Sequence, residues 1–492
     1  MGKYVLGIDQ STQGTKALLF DVEGRLLCRT DLPHKQYVDE RGWVEHDLNE
    51  IYANTIQVVK NLVDKAGIDK SELAVVGISN QRETAACWDK VTGEPVFHAV
   101  VWQCARGAAI CERIEKEGNG AMIKEHTGIP LSPYFTAAKL AWIFENVDGV
   151  KEKAEKGEIA CGTIDSWLVY KLTEGKHFQT DYSNASRTQL FNVRELKWDQ
   201  EILKIFGICP SCMAQVTDSD GDYGVTDFQG YLDRPIPIRG VMGDSHGALF
   251  GQGCLEKGMV KSTYGTGSSI MMNIGEKPVF TDLGVVTSLA WSMGGKVNYV
   301  LEGNINYTGA VITWLKDDLK LISSAGETEE LARKAKPGDK TYLVPAFSGL
   351  GAPYWDSKAA GVICGMTRTT GQAEVVRAAL DCIAYQITDI VRVMSEASGI
   401  QIGELRVDGG PTKNGYLMQF QSDMLNIPVS IPESEELSGI GAAYAAGLAT
   451  GIFDKNVFGR MSRNCYTPVM EEEERNKKYR GWQDAVRIVM TK

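Results

Sequence analysis

Two similar strand–turn–strand patterns, one opening each half of the 492-residue chain, most constrain what it can fold into. In the first, an apolar strand at residues 4–8 is followed by a polar, glycine-containing turn at 10–15 and a second apolar strand at 17–20. Residues 258–272 repeat the pattern around a Thr/Gly turn. Such a repeat predicts two structurally similar lobes, with ligands bound in the cleft between them.

The segments around the hairpins predict an α/β architecture, because strands alternate with helical patterns. Asp47 and Glu50 have the spacing of a capping box for a helix over residues 51–65, with Gly67 as its C-cap. We place the boundary within residues 247–255. Residues 1–250 then form an N-terminal lobe, and residues 251–492 form a C-terminal lobe.

Two segments of the C-terminal half carry specific expectations. Residues 437–453 have no formal charge and are rich in Gly and Ala, which predicts a buried helix packed closely against neighbouring backbone. The charged tail from about residue 470 predicts a helix, with Trp482 docking it onto the body of the protein. No segment has the composition and length of a membrane span.

Composition narrows the classes of partner. The formal net charge of −11, from 52 basic and 63 acidic residues, argues against a nucleic acid, although a nucleotide needs only a local nest of donors. Eleven cysteines in a long chain do not indicate a disulfide framework, and Cys209 and Cys212 lack a second pair at zinc-site spacing. Acidic Asp9 comes too early for a signal peptide, so we expect a cytoplasmic protein.

The first hairpin has the residue types that a metal–phosphate site needs. Asp9 ends the first strand, where α/β proteins usually bind ligands, and one carboxylate there suits a hydrated magnesium ion. The following turn offers backbone and hydroxyl donors and a cation, from Thr12, Gln13, Gly14, Thr15 and Lys16. An ordinary hairpin turn is the alternative interpretation of this motif.

Two further loops match the first one. Thr266 lies in the turn of the second hairpin, and a strand ending in Asp408 is followed by Gly409, Gly410 and a helix with Asn414 in its first turns. Paired glycines allow a base or ribose to approach the backbone closely, although they also occur in plain tight turns. The chain has no Walker A sequence, which excludes a P-loop enzyme.

A phosphate-binding protein that transfers a phosphoryl group to an alcohol also needs residues that hold and deprotonate that alcohol. Candidates for this role follow two other predicted strands. Arg82 and Glu83 are adjacent, and a guanidinium and a carboxylate together grip vicinal hydroxyls; a surface ion pair is the alternative. Asp244 follows the apolar strand at residues 236–242, which makes it a candidate general base. His246 competes for that role, although a histidine at a helix start is more often structural.

Seven further motifs follow one another along the chain: Trp43-Val-Glu-His-Asp47, Asn80-Gln-Arg-Glu-Thr84, Val101-Trp-Gln-Cys104, Asp181-Tyr-Ser-Asn-Ala-Ser-Arg-Thr188, Tyr264-Gly-Thr-Gly267, Pro345-Ala-Phe-Ser-Gly-Leu-Gly-Ala-Pro-Tyr-Trp-Asp356 and Gln419-Phe-Gln-Ser-Asp423. These motifs resemble those of the glycerol kinases of the FGGY carbohydrate-kinase family. Residues 134–146 and 361–381 resemble the two FGGY signatures, and the similarity runs in order from about residue 4 to 485.

The resemblance implies an actin-like, RNase H-like ATPase fold in two lobes, with the active site in a cleft that closes around ATP and Mg²⁺. It implies phosphorylation of a terminal hydroxyl of a small polyol such as glycerol, and it is compatible with a homodimer or tetramer. It assigns the alcohol site to Arg82, Glu83, Trp102, Tyr134 and the base Asp244. It assigns the nucleotide site to Thr12, Thr266, Gly309, Thr313, Gly410 and Asn414, and the metal to Asp9.

Three departures from the family pattern stand out, two bearing on the substrate and one on regulation. Glycerol kinases usually have Gln where this chain has Ser245, and Phe where it has Ser269. Both changes place small hydroxyl side chains in the alcohol pocket, so we expect a larger, more polar pocket that admits a longer polyol. Residues 230–235 do not match the loop that binds an allosteric sugar bisphosphate in some members.

The sequence leaves other functions open. The kinase could act on glycerol or on a four- to five-carbon polyol or ketose such as erythritol, threitol or xylulose. A non-catalytic, actin-like nucleotide-binding regulator is a different class, but it has no need for an alcohol pocket with Asp244, Arg82 and Glu83. A chaperone-like ATPase would need a peptide-binding domain, for which no residues remain.

Overall fold

Each of the two predicted hairpins opens a large mixed sheet in the computed structural model, which describes residues 3–491. The strands of the first half are β1 (Tyr4–Gln10), β2 (Gly14–Phe20), β3 (Leu26–Pro33), β4 (Gln36–Val38), β5 (Val44–His46), β6 (Leu73–Asn80), β7 (Ala86–Asp89), β8 (Ala99–Val100), β9 (Ile159–Gly162), β10 (Gln179–Asp181), β11 (Phe191–Asn192), β12 (Lys197–Trp198), β13 (Gln215–Thr217), β14 (Val225–Thr226) and β15 (Ile236–Gly243). Those of the second half are β16 (Val260–Tyr264), β17 (Ser268–Gly275), β18 (Val286–Met293), β19 (Lys296–Ile305), β20 (Tyr342–Val344), β21 (Val362–Cys364), β22 (Leu405–Asp408), β23 (Val429–Pro432) and β24 (Arg463–Tyr466).

Helices cover both sheets and connect their strands. The α-helices are α1 (Leu48–Ala66), α2 (Ala108–Lys116), α3 (Gly120–Thr127), α4 (Thr136–Asn146), α5 (Val150–Glu155), α6 (Ile164–Leu172), α7 (Tyr182–Ser186), α8 (Gln200–Ile205), α9 (Asp244–Gly251), α10 (Gly309–Asp317), α11 (Glu327–Lys334), α12 (Gln372–Ser398), α13 (Gly415–Leu425), α14 (Leu437–Ala449) and α15 (Glu472–Val489). Short 3₁₀ helices lie at Lys70–Glu72, Pro210–Cys212, Gly410–Lys413 and Lys455–Arg460.

The two sheets share one strand order, which confirms the internal repeat. Part of the six-stranded N-terminal sheet runs β3-β2-β1-β6-β15, and part of the seven-stranded C-terminal sheet runs β19-β17-β16-β22-β23. In each sheet the first three strands are antiparallel, and the next two run parallel to the first strand of the hairpin. The carboxyl ends of the parallel strands therefore meet along one edge of each sheet, where the candidate site residues follow them.

Helix α1 shows how local signals set the element boundaries. The Asp47 side chain accepts from the backbone N–H groups of Asn49 and Glu50, and Gly67 ends the helix in a left-handed conformation with φ 64°. The helix begins at Leu48, three residues earlier than predicted. Glu50 does not complete a capping box, because its carboxylate accepts instead from the Lys35 backbone N–H at 3.2 Å.

A layer of two helices, α9 and α14, joins the two sheets. Their backbones approach closely because small residues face each other: a Cβ added to Gly441 would lie 1.9 Å from the Gly247 carbonyl oxygen, and one added to Gly251 would lie 2.3 Å from that of Leu437. This confirms the predicted close packing of the uncharged Gly/Ala-rich segment. Apolar side chains from both sheets complete this layer: Val75, Met242, Met271, Ala290 and Val300.

Helix α14 belongs to the second half of the chain but also packs on the sheet of the first half. A Cβ at Gly77 of β6 would lie 2.1 Å from the Ala442 carbonyl, and Gly7 of β1 similarly abuts the Gly439 carbonyl at 2.9 Å. The chain therefore crosses between the lobes near its end. A single boundary in the sequence does not describe this packing of a helix from the second half on the sheet of the first half.

The C-terminal tail forms α15, as its composition predicts. Trp482 is fully buried and its indole N–H donates to Asp389 Oδ2 at 2.8 Å, while the Tyr479 hydroxyl donates to Oδ1 of the same carboxylate. The eleven cysteines are all free, and Cys212 is buried as a small apolar residue. Within residues 3–491, no helix is long and apolar enough to cross a membrane.

The contact between α9 and α14 predicts that Gly441→Ala destabilises the fold. The added methyl group has no space against the Gly247 backbone, so the helices must separate, at a cost of about 1–3 kcal/mol. Thermal denaturation followed by circular dichroism measures the effect. Gly403→Ala is the control, because a Cβ there meets nothing within 4 Å and should leave the melting temperature unchanged.

Candidate active site

A buried cluster of charges occupies the place where the two lobes meet. Arg82 follows β6 of the first lobe, and its guanidinium donates to both carboxylate oxygens of Glu302 on β19 of the second lobe, at 3.0 and 3.1 Å. Arg187, which follows α7, places its Nη1 3.2 Å from Glu302 Oε2. The Glu302 side chain is fully buried, so two arginines of one lobe enclose one carboxylate of the other.

The same arginines orient the carboxylates proposed for the alcohol site. Arg187 Nε donates to Glu83 Oε1 at 2.6 Å, and Arg82 Nε lies 3.3 Å from Asp244 Oδ1. Burial favours the neutral form of Glu302, but Arg187 and Arg82 outweigh it and hold the pKa of Glu302 well below its usual range. Glu302 is therefore an ionised anchor for both arginines.

Asp244 is the carboxylate of this cluster that solvent can reach. Its side chain is 34% exposed, and its Oδ1 accepts from the Ser245 backbone N–H at 2.6 Å, at the N-terminus of α9. His246 is fully buried behind it, with neither ring nitrogen hydrogen-bonded within residues 3–491. Burial, then the charge of Arg82, lowers the pKa of His246 well below its usual value. A ligand in the cleft therefore reaches Asp244 and not His246.

Two aromatic side chains form an apolar wall beside these charges. The Trp102 and Tyr134 rings meet edge to face with centroids 5.6 Å apart, and Trp102 Nε1–H donates to the Thr12 hydroxyl at 2.9 Å. Lys139 holds the loop that carries Tyr134, because its buried ammonium donates to the backbone carbonyls of Pro133, Tyr134 and Phe135. The segment that resembles the first FGGY signature thus contains both the predicted site residue Tyr134 and the lysine that holds its loop.

Asp9 lies among charges at the end of β1. Lys16 is its cross-strand partner in β2, and Lys16 Nζ lies 4.0 Å from Asp9 Oδ2 and 2.7 Å from Glu436 Oε2. Burial, together with the negative charges of Asp244 and Glu436, raises the pKa of Asp9 to about 6, although Lys16 opposes the shift. Lys16 is thus partly neutralised by Glu436, which precedes α14.

The surroundings of Asp9 fit a hydrated cation. Its Oδ1 is buried with no hydrogen-bond partner among residues 3–491, and two further carboxylates raise its pKa. Magnesium usually takes one or two protein carboxylates and fills its other positions with water and substrate phosphates. The described residues contain no group of three or more His, Cys, Asp or Glu that could hold a metal ion.

The three predicted phosphate loops have different surroundings. In the second hairpin, the Thr266 carbonyl accepts from the Ala310 N–H at 3.0 Å, and a Cβ on Gly309 would lie 2.8 Å from the Gly265 carbonyl, so this turn packs on the start of α10. Thr313 is exposed on the same helix. In the first hairpin, Gly14 packs against β3, since a Cβ there would lie 2.4 Å from the Leu32 carbonyl.

The third loop lies next to the second. Gly409 has φ 98° and packs on the Tyr264 backbone, whereas a Cβ at Gly410 would meet nothing within 4 Å. The Asn414 side chain caps α13 through the Leu417 N–H and also donates to Thr328. Open space at Gly410 admits a ligand. The Asn414 amide, by contrast, already has two hydrogen-bond partners. In the first hairpin, Gln13 is exposed.

Sequence reasoning missed Glu302, Arg187, Lys139 and Glu436. Glu302 had a usable signal, because it is a carboxylate within the apolar run 299–303 of a buried strand, where charge is rare unless paired. Arg187 and Lys139 lie inside motifs that the resemblance identified, without a role. Glu436 had no signal, because its partners Lys16 and Arg29 lie in the other half of the chain.

Comparison with known proteins accounts for this arrangement. The model of the FGGY family of carbohydrate kinases, N-terminal domain, matches residues 4–251, and that of the C-terminal domain matches residues 260–450. The chain belongs to the FGGY family of carbohydrate kinases. Accordingly, it is an ATP-dependent kinase with the two-lobed, actin-like ATPase fold, and the expected family and fold are confirmed.

Relatives of this FGGY kinase are similar over almost their whole length. Glycerol kinase 1 of Thermotoga maritima is 50% identical over 491 residues, covering 99% of this chain and 100% of that one. Glycerol kinase of Bacillus subtilis is 45% identical over 493 residues, covering 100% and 99%. The crystal structure of Plasmodium falciparum glycerol kinase with ADP superposes with a TM-score of 0.94 at 34% identity, covering 99% and 98%.

The cluster at the lobe junction predicts that Glu302→Gln destabilises the protein. Loss of the charge leaves two buried guanidiniums with less compensation, and breaking a buried ion pair costs about 3–5 kcal/mol. Urea denaturation gives the urea concentration at the midpoint of unfolding, which should be lower for the variant. Glu330→Gln removes an exposed i,i+4 partner of Lys334 and should hardly change it. Equal, small shifts for both variants would contradict an anchoring role for Glu302.

Proposed function

We propose that this FGGY kinase transfers the γ-phosphoryl group of ATP, with Mg²⁺, to a terminal hydroxyl of glycerol and forms glycerol 3-phosphate. The observation that carries the proposal is Asp244, an accessible carboxylate held beside Arg82 at the junction of the lobes. The names of the full-length relatives support glycerol as the acceptor. Residues 1–250 would supply most of the alcohol and metal site, and residues 251–492 most of the nucleotide site, although Glu302 of the second half anchors Arg82 of the first.

In the proposed reaction, Asp244 acts as general base. The alcohol oxygen attacks the γ-phosphorus and its proton passes to the Asp244 carboxylate, while the bond from phosphorus to the bridging oxygen breaks and ADP leaves. Arg82 and Glu83 hold the neighbouring hydroxyls, and the Trp102 and Tyr134 rings cover the carbon chain. The buried pairing of both charged groups fixes them before the alcohol arrives.

The nucleotide and metal assignments are proposals that the geometry supports. Asp9, whose buried Oδ1 lacks a partner, would hold Mg²⁺, which supplies charge neutralisation for the phosphates. Donors toward ATP would come from Thr12, Gln13, Gly14, Lys16, Thr266, Gly309, Thr313, Gly410 and Asn414. Gly410 is the best supported of these, because its surroundings are open.

Other features of the proposal concern location and partners. A cytoplasmic location fits eleven free thiols, since disulfides are rare in reducing compartments. The net charge of −11 supports a small molecule rather than a nucleic acid as the partner. A homo-oligomer stays a prediction.

A longer acceptor is the second candidate. Ser245 and Ser269 stand where glycerol kinases usually have larger side chains. Ser269 lies on β17 opposite Asn304 of β19, on the face that carries Glu302. A four- to five-carbon polyol or ketose would use the space that these small residues leave.

Asp244→Asn should lower kcat by roughly 10²–10⁴-fold, the usual contribution of a general base, with ATP affinity nearly intact. A coupled ADP-release assay gives kcat, and ATP titration gives the affinity. His246→Gln is the comparison, because a buried imidazole out of reach of the cleft should matter much less. Near-normal turnover in Asp244→Asn would disprove its role as base.

Arg82→Ala should raise KM for the alcohol and leave KM for ATP almost unchanged. The reason is that Arg82 lies between Asp244 and Glu302, on the alcohol side of the site. Initial-rate kinetics with each substrate varied in turn separates the two constants. The reverse pattern, with only KM for ATP raised, would place Arg82 in the nucleotide site.

A further inference from the structure

A cavity adjoins the alcohol site and is far larger than glycerol requires. It has a volume of about 610 Å³, and Tyr134, Arg187 and Glu302 of the charged cluster line one part of it. Sites of roughly 300–1,000 Å³ hold ligands much bigger than a three-carbon triol. The alcohol site therefore continues into space that glycerol does not fill.

Strand register places polar side chains in a row along one wall of this cavity. Side chains two residues apart on a strand share a face, so Glu302 and Asn304 of β19 point the same way, and Asn306 continues the alternation just past the strand end. Asn304 and Asn306 both line the cavity. Asn304 lies roughly 7 Å along the strand from Glu302, which matches the length of a few extra carbons.

The two amides are available to a ligand. Asn304 and Asn306 are exposed, and neither side chain is hydrogen-bonded to any residue in 3–491. The Ser132 hydroxyl, which also lines the cavity, accepts from the Tyr134 N–H at 3.2 Å, which leaves its own proton to donate. Amide and hydroxyl groups that both donate and accept match the hydroxyls of a polyol.

The charges of the cavity indicate a neutral ligand. Four charged residues line it, and each has a partner of opposite charge. Lys124 Nζ lies 2.6 Å from Asp282 Oδ1, and Arg187 pairs with both Glu302 and Glu83. The lining thus carries two positive and two negative charges and favours neither sign of ligand, which is consistent with hydroxyl or carbonyl groups at the far end of the substrate.

Ser269 lies behind the cavity wall, opposite Asn304 on the neighbouring strand. It is the direct cross-strand partner of Asn304, so its side chain lies on the same face as Asn304 and Glu302. Its hydroxyl is buried without a partner among the described residues, and the position holds only a small side chain. A phenylalanine at position 269 would project toward Asn304 and narrow the cavity on that side.

We propose that the cavity lined by Asn304 and Asn306 is a distal arm of the substrate site, built for a neutral, open-chain polyol or ketose of four or five carbons. This inference rests on the proposed kinase function, with the reacting hydroxyl at Asp244. The distal hydroxyls bind the Asn304 and Asn306 amides. The arm makes such a substrate at least as good an acceptor as glycerol.

The first test is a substrate panel with the purified full-length protein, ATP and Mg²⁺ in a coupled ADP-release assay. The acceptors are glycerol, erythritol, threitol, xylitol, ribitol, xylulose and, as an acidic comparison, gluconate. The expected result is that kcat/KM for at least one neutral four- or five-carbon acceptor equals or exceeds that for glycerol, with gluconate far below. Efficient turnover of glycerol together with rejection of every longer neutral acceptor overturns the distal arm and leaves the proposed function standing.

The second test removes the arm by mutation. In Asn304→Ala/Asn306→Ala, the ratio of kcat/KM for the best longer acceptor to that for glycerol should fall by about 10-fold or more, since hydrogen bonds are lost only with the longer chain. In Ser245→Gln/Ser269→Phe, the same ratio should fall by roughly 10–200-fold, in favour of glycerol. Asn456→Ala, an exposed asparagine outside the cavity, is the matched control for the amide deletion.

The outcomes separate the two proposals. An unchanged ratio in the folded double-alanine variant overturns the distal arm even if the wild-type protein prefers a longer acceptor. Circular dichroism confirms folding, which exposed asparagines are not expected to affect. Failure to phosphorylate any alcohol, glycerol included, overturns the proposed acceptor and the distal arm together.

Discussion

The pairing of Glu302 with Arg82 and Arg187 is the interaction on which the rest of the active site depends. A buried charge is tolerated only when it is paired and hydrogen-bonded, and here one carboxylate satisfies two guanidiniums. Those guanidiniums in turn hold Asp244 and Glu83. Because the carboxylate comes from one lobe and the arginines from the other, the proposed alcohol site is assembled only where the lobes meet.

Close backbone packing fixes the same site from a second direction. Asp244 is the first residue of α9, and Gly247 and Gly251 on that helix lie against the backbone of α14. Asp244, the proposed base, therefore lies one turn from a contact that permits no side chain. Positioning by backbone contact leaves little freedom, which suits a carboxylate that must meet one particular hydroxyl.

Much of the fold followed from local patterns. The hairpins, the capped helix α1, the uncharged helix α14 and the docked tail each have a signal within a short window, namely alternation, capping, composition or an isolated tryptophan. The family motifs indicated which residues form the candidate site. Asp244 was predicted as the general base from its place at a strand end, and that role stays a prediction; the structure shows that Asp244 is partly exposed and His246 is buried.

The rest could not be predicted because its partners are distant in sequence. Arg82 and Glu302 are 220 residues apart, and Lys16 and Glu436 are 420 apart, so no local pattern links them. The role of Lys139 depends on three carbonyls that converge only when their loop is folded. Such contacts follow from the tertiary arrangement and not from residue type.

The path of α14 has a consequence for the order in which this protein acquires its structure. Residues 437–449 cover strands β1 and β6, which the ribosome makes hundreds of residues earlier. Domains usually fold as units during synthesis, beginning with the N-terminal one. Here the emerging first half has the sheet but not the helix that shields it, and its Gly7 and Gly77 surface stays uncovered until translation is almost complete. Maturation of the first lobe thus waits for the last tenth of the chain.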